Sequence, residues 1–209
     1  MDKKLDFKRE LKKYYNPPPH ESEIVEVPRF QFLMIDGMGM DFENGDSQKA
    51  IEALFSVSYK AKFLVKKTLG IDYGVMPLEG LWWAEDMNDF VNGNRDNWRW
   101  TYMIMQPEFV KGQLVGATID DVVKSKKLQT ARQLRLEDYQ EGLSSQIMHI
   151  GPFAEEHPNI LKIHRRIEDQ HGIFDGEKQK HHEIYLSDFR KVAPEKMKTI
   201  LRQPFQYQG

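Results

Sequence analysis

The chain has 209 residues, enough for one large domain or one internally duplicated domain, and its 40% hydrophobic content excludes a disordered chain. A formal net charge of −2 offers no basic stripe for nucleic acid, and no apolar run approaches the roughly 20 residues of a membrane span. Cysteine is absent, which excludes disulfides and thiolate catalysis.

The first residues, MDKKLDFKRELKKYYN, lack the apolar centre of a signal peptide, so a cytoplasmic protein is expected. Leu5, Phe7, Leu11 and Tyr14/Tyr15 fall at helical spacing and predict a short amphipathic helix over residues 1–15, ended by Pro17, Pro18 and Pro19. A helix-turn-helix reader would need a second helix before that point, so the segment reads as a packing arm. EIVEVPRFQFLMIDGMG reads as a strand, and Ala50, Ile51, Leu54, Val57, Ala61, Leu64 and Val65 mark an amphipathic helix with Asp46 or Ser47 as its N-cap. Two strand-like segments follow, YGVMPLEGLWW and NWRWTYMIMQP, and then VVKSKKLQTARQLRLEDY reads as a further helix. LSSQIMHIGPF opens a second half as a strand. PNILKIHRRIEDQHG is a helix, HHEIYLSDF a strand, PEKMKTI a short helix and LRQPFQ a final strand.

The order strand, helix, strand, strand thus occurs twice, in pattern rather than in letters. It predicts a duplicated α+β domain with both helices on one face of antiparallel sheets and the other face concave and free for a ligand. In its boundaries, an arm and linker cover 1–21 and a domain covers 22–209, with repeat halves of about 22–112 and 136–209.

Strand alternation picks the candidate site residues. In HHEIYLSD, His181, Glu183, Tyr185 and Ser187 share one face, and Ile184 and Leu186, on the other, are expected to meet the helices. Glu183 would then face the ligand beside Tyr185, as a counter-charge, hydrogen-bond acceptor or general base; a solvated strand face fits the same letters. In the first half, LEGLWW aligns with HEIYLS, which gives Glu79 the place of Glu183. Trp83 shares its parity and is expected in the cleft. Trp98, Trp100 and Tyr102 form a period-two wall that suits stacking on a planar ring, or equally a core. Tyr73 could place a phenol at the rim. No HExxH, i,i+4 ligand pair, complete GxGxxG, P-loop or GxSxG is present, so neither metal nor cofactor is expected.

Taken in order, YGVMPLEGLWW, WTYMIMQPEF, QIMHIGPFAEE, HHEIYLSDFRK and PEKMKTILRQP resemble the GyrI-like (gyrase-inhibitor-like) family from about residue 22 onward, most closely its stand-alone branch. The resemblance implies a duplicated β-α-β-β (SHS2-like) fold with a pseudo-twofold axis and a cleft between the halves. It implies that Glu183, in the EIYL motif, is the acid of that cleft, which meets cationic aromatic drugs in some relatives. Similar stand-alone proteins are hydrolases that open the cyclopropane of cyclopropanoid genotoxins. Phe189 stands where the family has Pro.

Two readings share this pocket. In one, Glu183 activates water for attack on a strained ring, Tyr73 or Tyr185 bonds the oxygen that gains charge, and Trp83, Trp100 and Tyr102 stack on the ligand. In the other, the protein is a sequestering or sensing module for an aromatic or cationic small molecule. A role in modulating gyrase has no exposed feature to support it, and the sequence assigns no protein partner.

Overall fold

The computed structural model of the chain describes residues 4–39, 45–86, 88–188 and 190–208. Two single turns, α1 (Phe7–Glu10) and α2 (Lys12–Tyr15), replace the one helix expected at the N-terminus, and Leu11 joins them. They are followed by β1 (Glu23–Met38), α3 (Asp46–Leu69), β2 (Leu78–Trp83), α4 (Asn88–Asn92), β3 (Arg99–Gln106) and α5 (Gly112–Lys126). The second half holds β4 (Arg135–Ile150), α6 (His157–Asp169), β5 (Gly172–Ile173), β6 (His181–Tyr185), β7 (Lys198–Pro204) and β8 (Gln206–Tyr207). Phe189, the departure from the family pattern, lies outside the described residues.

Six strands close a barrel in the order β1-β3-β2-β6-β7-β4, each neighbour antiparallel. The halves supply β1-β3-β2 and β4-β7-β6, each with a helix, α3 or α6, after its first strand. The duplicated α+β fold is therefore present. Its closure follows from strand length. β1 and β4 run 16 residues each and pair with each other as well as with β3 and β7, so no long edge is left open.

The helices lie outside the barrel. On α3, Ala50, Leu54, Val57, Ala61 and Val65 are buried at the predicted spacing, and they join one core with Leu33, Ile35 and Ile104. Gln106 Nε2 donates to Ser58 Oγ, which fixes that face of β3 toward α3. On the opposite side, Ile163 and Ile167 of α6 pack on Ile147 and Leu201. Gly45, not Asp46 or Ser47, stands at the N-cap of α3.

Two expected helices turn into strands part-way along. α5 ends where Lys127 adopts φ 57°, a 3-10 turn covers Gln129–Gln133, and Arg135–Tyr139 joins β4. Pairing with β1, in which Leu136 faces Leu33, overrides the helical preference of the segment. Likewise only Pro194–Lys196 turns, and the rest of PEKMKTI is β7. Among the described residues no helix is long and apolar enough to cross a membrane.

Candidate functional site

The outer surface of β2 and β6 lies between α3 and α6, at a seam between the two halves. Register sets its rows. Glu183 pairs with Gly80 on one side and Leu201 on the other, and Gly80 pairs in turn with Tyr102. Tyr185 lies between Leu78 and Thr199 in the next row, and Trp82 between His181 and Trp100 in the row on the other side. Directly opposed residues share a face, so Glu183, Tyr185, His181, Trp82 and Tyr102 stand on one surface.

Their contacts form a chain. Trp82 Nε1 donates to Tyr185 Oη at 3.0 Å, and Tyr185 Oη donates to Glu183 Oε2 at 2.7 Å. The Tyr102 ring meets Trp82 edge-on at 5.8 Å between centroids, and Phe153 meets Tyr185 edge-on at 5.9 Å. Gly80 opens the floor. A Cβ there would come within 3.0 Å of Trp82 Nε1 and 3.1 Å of Tyr185 Oη. A glycine inside a strand often marks such a close approach.

Burial among these rings pushes the Glu183 carboxyl up to about 7, while its bond from Tyr185 and the charge of His182 hold it back. Its side chain keeps 17% exposure, so the acid is sheltered and reachable. Oε1 stands 3.7 Å from His181 Nε2, but burial holds that imidazole down to about 4, so it is a neutral neighbour. Burial, with the Glu183 charge, raises the Tyr102 and Tyr185 phenols well above their usual range, so both keep their protons. The set gathers a carboxyl that can accept a proton, Glu183, with two phenols and an indole.

The other expected residues are elsewhere. The reading set Glu183 opposite the helices and Ile184 toward them; the barrel reverses this. Ile184 turns into the closed interior, and Glu183 lies on the helix side, in the gap between α3 and α6. Glu79 pairs with Ile184 rather than matching Glu183, so Glu79 and Trp83 point into the barrel. There Glu79 accepts from Tyr15 Oη at 2.7 Å and stands 3.0 Å from His182 Nε2. His182 Nδ1 is 2.8 Å from Glu141, and Arg202 donates to Glu141 at 2.7 Å and to Gln146. Trp83 lines a cavity of 240 Å³ with Met34, Asp36, Arg135 and Tyr139, and the Lys180 ammonium sits 3.5 Å from its ring centre. Trp100 lies flat over Gly37, donates to the Gly39 carbonyl and stacks on Tyr102 at 4.4 Å, so it backs the site without presenting a free face. Tyr73 is buried against Phe7 and Phe109 and its hydroxyl has no partner, so it touches neither Glu183 nor Tyr185 by hydrogen bond.

Trp82 and Gly80 were missed because the two strands were aligned Glu on Glu, whereas the true register sets Gly80 against Glu183. The mid-strand glycine was the available signal. Glu156 sits ahead of α6 and reads in sequence as an ordinary turn residue.

The sequence profile of the GyrI-like small molecule binding domain matches residues 20–205. The chain belongs to the GyrI-like family. An uncharacterized conserved protein from Listeria innocua is 39% identical and superposes with a TM-score of 0.87, covering 97% of this chain and 100% of that one. A hydrolase from Listeria innocua is 37% identical with a TM-score of 0.82 and the same coverage. The C-terminal domain of EcmrR shares the GyrI-like fold alone, at 10% identity and a TM-score of 0.54, over 90% of this chain and 98% of that one. No curated protein matches the chain.

Proposed function

We propose that this GyrI-like protein binds planar, largely apolar small molecules over β2 and β6 and hydrolyses a strained cyclopropane in them. The observation that carries the reading is Glu183. It is a carboxylate raised to about 7, oriented by Tyr185 and bordered by Trp82 and Tyr102. The 37%-identical hydrolase and the resemblance to cyclopropanoid hydrolases support hydrolysis over simple capture.

In the proposed step, Glu183 takes a proton from water as the water oxygen bonds to a cyclopropane carbon. The strained C–C bond breaks, and its electron pair moves through the conjugated system to the carbonyl oxygen, which becomes a hydroxyl by gaining one proton for the one Glu183 has taken, so the net change is addition of one water. Ring strain lowers the intrinsic barrier, so positioning and one base, worth about 10²–10⁴-fold, suffice. Tyr185 is the tyrosine in contact with the base, and its one O–H orients Glu183, while Tyr73 is held in the core beneath the N-terminal arm.

The test is to incubate the protein with a molar excess of a cyclopropanoid compound and count product by mass spectrometry. Many equivalents heavier by one water are expected. A single bound, unreacted equivalent would leave a sequestering module in place of the enzyme.

A further inference from the structure

Glu156 precedes α6, is 6% exposed, and has an oxygen, Oε1, with no hydrogen-bond partner among the described residues. A capping role does not account for it, because its side chain makes no cap hydrogen bond to α6. A buried carboxyl oxygen without a partner is costly, and a catalytic role is one reason a fold keeps such a group. Register shows what surrounds it. Beyond burial, Glu183 and Thr199 both act on the Glu156 carboxyl, the Glu183 charge raising its pKa and Thr199 lowering it. Thr199 lies directly opposite Tyr185. Phe153, three residues before Glu156, packs its ring edge-on to the Tyr185 ring. Tyr185 in turn holds Glu183. The turn that carries Glu156 is thus folded onto the Glu183 surface, and the reaction above leaves this second acid unused.

We infer that Glu156 is a second catalytic carboxyl of this site, the acid that protonates the substrate oxygen while Glu183 takes its proton from water. The inference rests on the ring-opening reading. One proton leaves Glu156 for the oxygen that receives the electron pair of the broken C–C bond, and one proton from water reaches Glu183. Transfer from Glu183 back to Glu156 restores the starting state, so the net change is addition of one water. The division of labour suits the environment. Burial and the Glu183 charge raise Glu156 to about 9, above its partner, so Glu156 holds the proton when only one is present. The groups that face it are Glu183 and Tyr185 from β6, Thr199 from β7 and, beside Thr199 in register, His149 from β4, whose ring is bonded to the Pro152 carbonyl and Asn159.

Turnover of a cyclopropanoid compound is measured against pH for the wild type, Glu156→Gln and Glu183→Gln. The wild type should show a bell whose two limbs belong to the pair as a whole. Glu156→Gln should lose about 10²-fold in kcat, keep KM, and lose the alkaline limb, which a merely structural role would not remove. Infrared spectra of the full chain at about pH 8, between the values of the two carboxyls, should show a protonated carboxyl in the wild type and in Glu183→Gln that is largely absent from Glu156→Gln. An inactive Glu183→Gln beside a Glu156→Gln with unchanged kcat and an intact alkaline limb overturns the acid alone. So does a wild type with no protonated carboxyl at that pH. A wild type that never turns over overturns the ring-opening reading and this inference together.

Discussion

At the scale of single residues, the site depends on one missing side chain. Gly80 sits between Glu183 and Tyr102, and the Trp82-to-Tyr185 hydrogen bond passes over it. A methyl there meets Trp82 Nε1 at 3.0 Å and Tyr185 Oη at 3.1 Å, both tighter than ordinary contact. Gly80→Ala should therefore displace the indole and the phenol, at about 1–3 kcal/mol of overpacking. Ligand affinity should fall at least tenfold by calorimetric titration while the circular dichroism spectrum holds. That Glu183 and Tyr185 share one face was legible from alternation within one strand, because parity inside a strand needs no partner; which face it is was not. Trp82 and Trp83 were exchanged because their assignment needed the register between two strands, and a slip of one residue turns every side chain over. Glu156 was not legible, since only the folding of its turn onto Tyr185 gives it a role.

At the scale of elements, the N-terminal arm fastens one end of the barrel. α2 delivers Tyr15 to Glu79, Arg202 donates to the Tyr14 carbonyl at 2.6 Å, and Gln146 donates to the Lys13 carbonyl at 2.9 Å. Glu79, Glu141, His182 and Arg202 make a charged cluster inside the barrel, one step through the β-sheet from Glu183 and on its opposite face. Such a cluster is stable only while each member keeps its partners. Tyr15→Phe removes the donor to a buried carboxylate and should cost about 1–3 kcal/mol. Thermal unfolding should shift down accordingly, and a variant as stable as the wild type would show that the arm is not a fastening. The helices and most strands could be read from periodicity, α3 most clearly. The start of β4 could not, because its pairing with β1 overrides a local helical pattern.

At the scale of the whole molecule, several buried groups link stability to pH in the same direction. The folded state raises His182 from 6.5 to about 9, through Glu141 and Glu79 working against burial. It also raises Glu156 from 4.5 to about 9 and Glu183 from 4.5 to about 7. Each then binds its proton more tightly folded than unfolded. Their contribution is full below the unfolded value and is lost as pH rises through the folded one. Glu141, held down to about 2, works the other way and is lost only in strong acid. Thermal unfolding temperature should therefore fall steadily from pH 6.5 to 9, and Glu156→Gln should flatten part of that fall; a flat profile in the wild type would refute the linkage. The duplicated halves were visible in the repeated order of elements, whereas barrel closure was not, because it depends on two long strands that each pair on both edges. The central claim, that Glu183 is the sheltered carboxylate that takes a proton from water beside a ring held among aromatics, is tested most directly by Glu183→Gln. Its turnover of a cyclopropanoid compound is measured beside its affinity for the neutral ring-opened product. Turnover lower by at least about 10²-fold with affinity preserved is the predicted result, and wild-type turnover in Glu183→Gln would contradict the account.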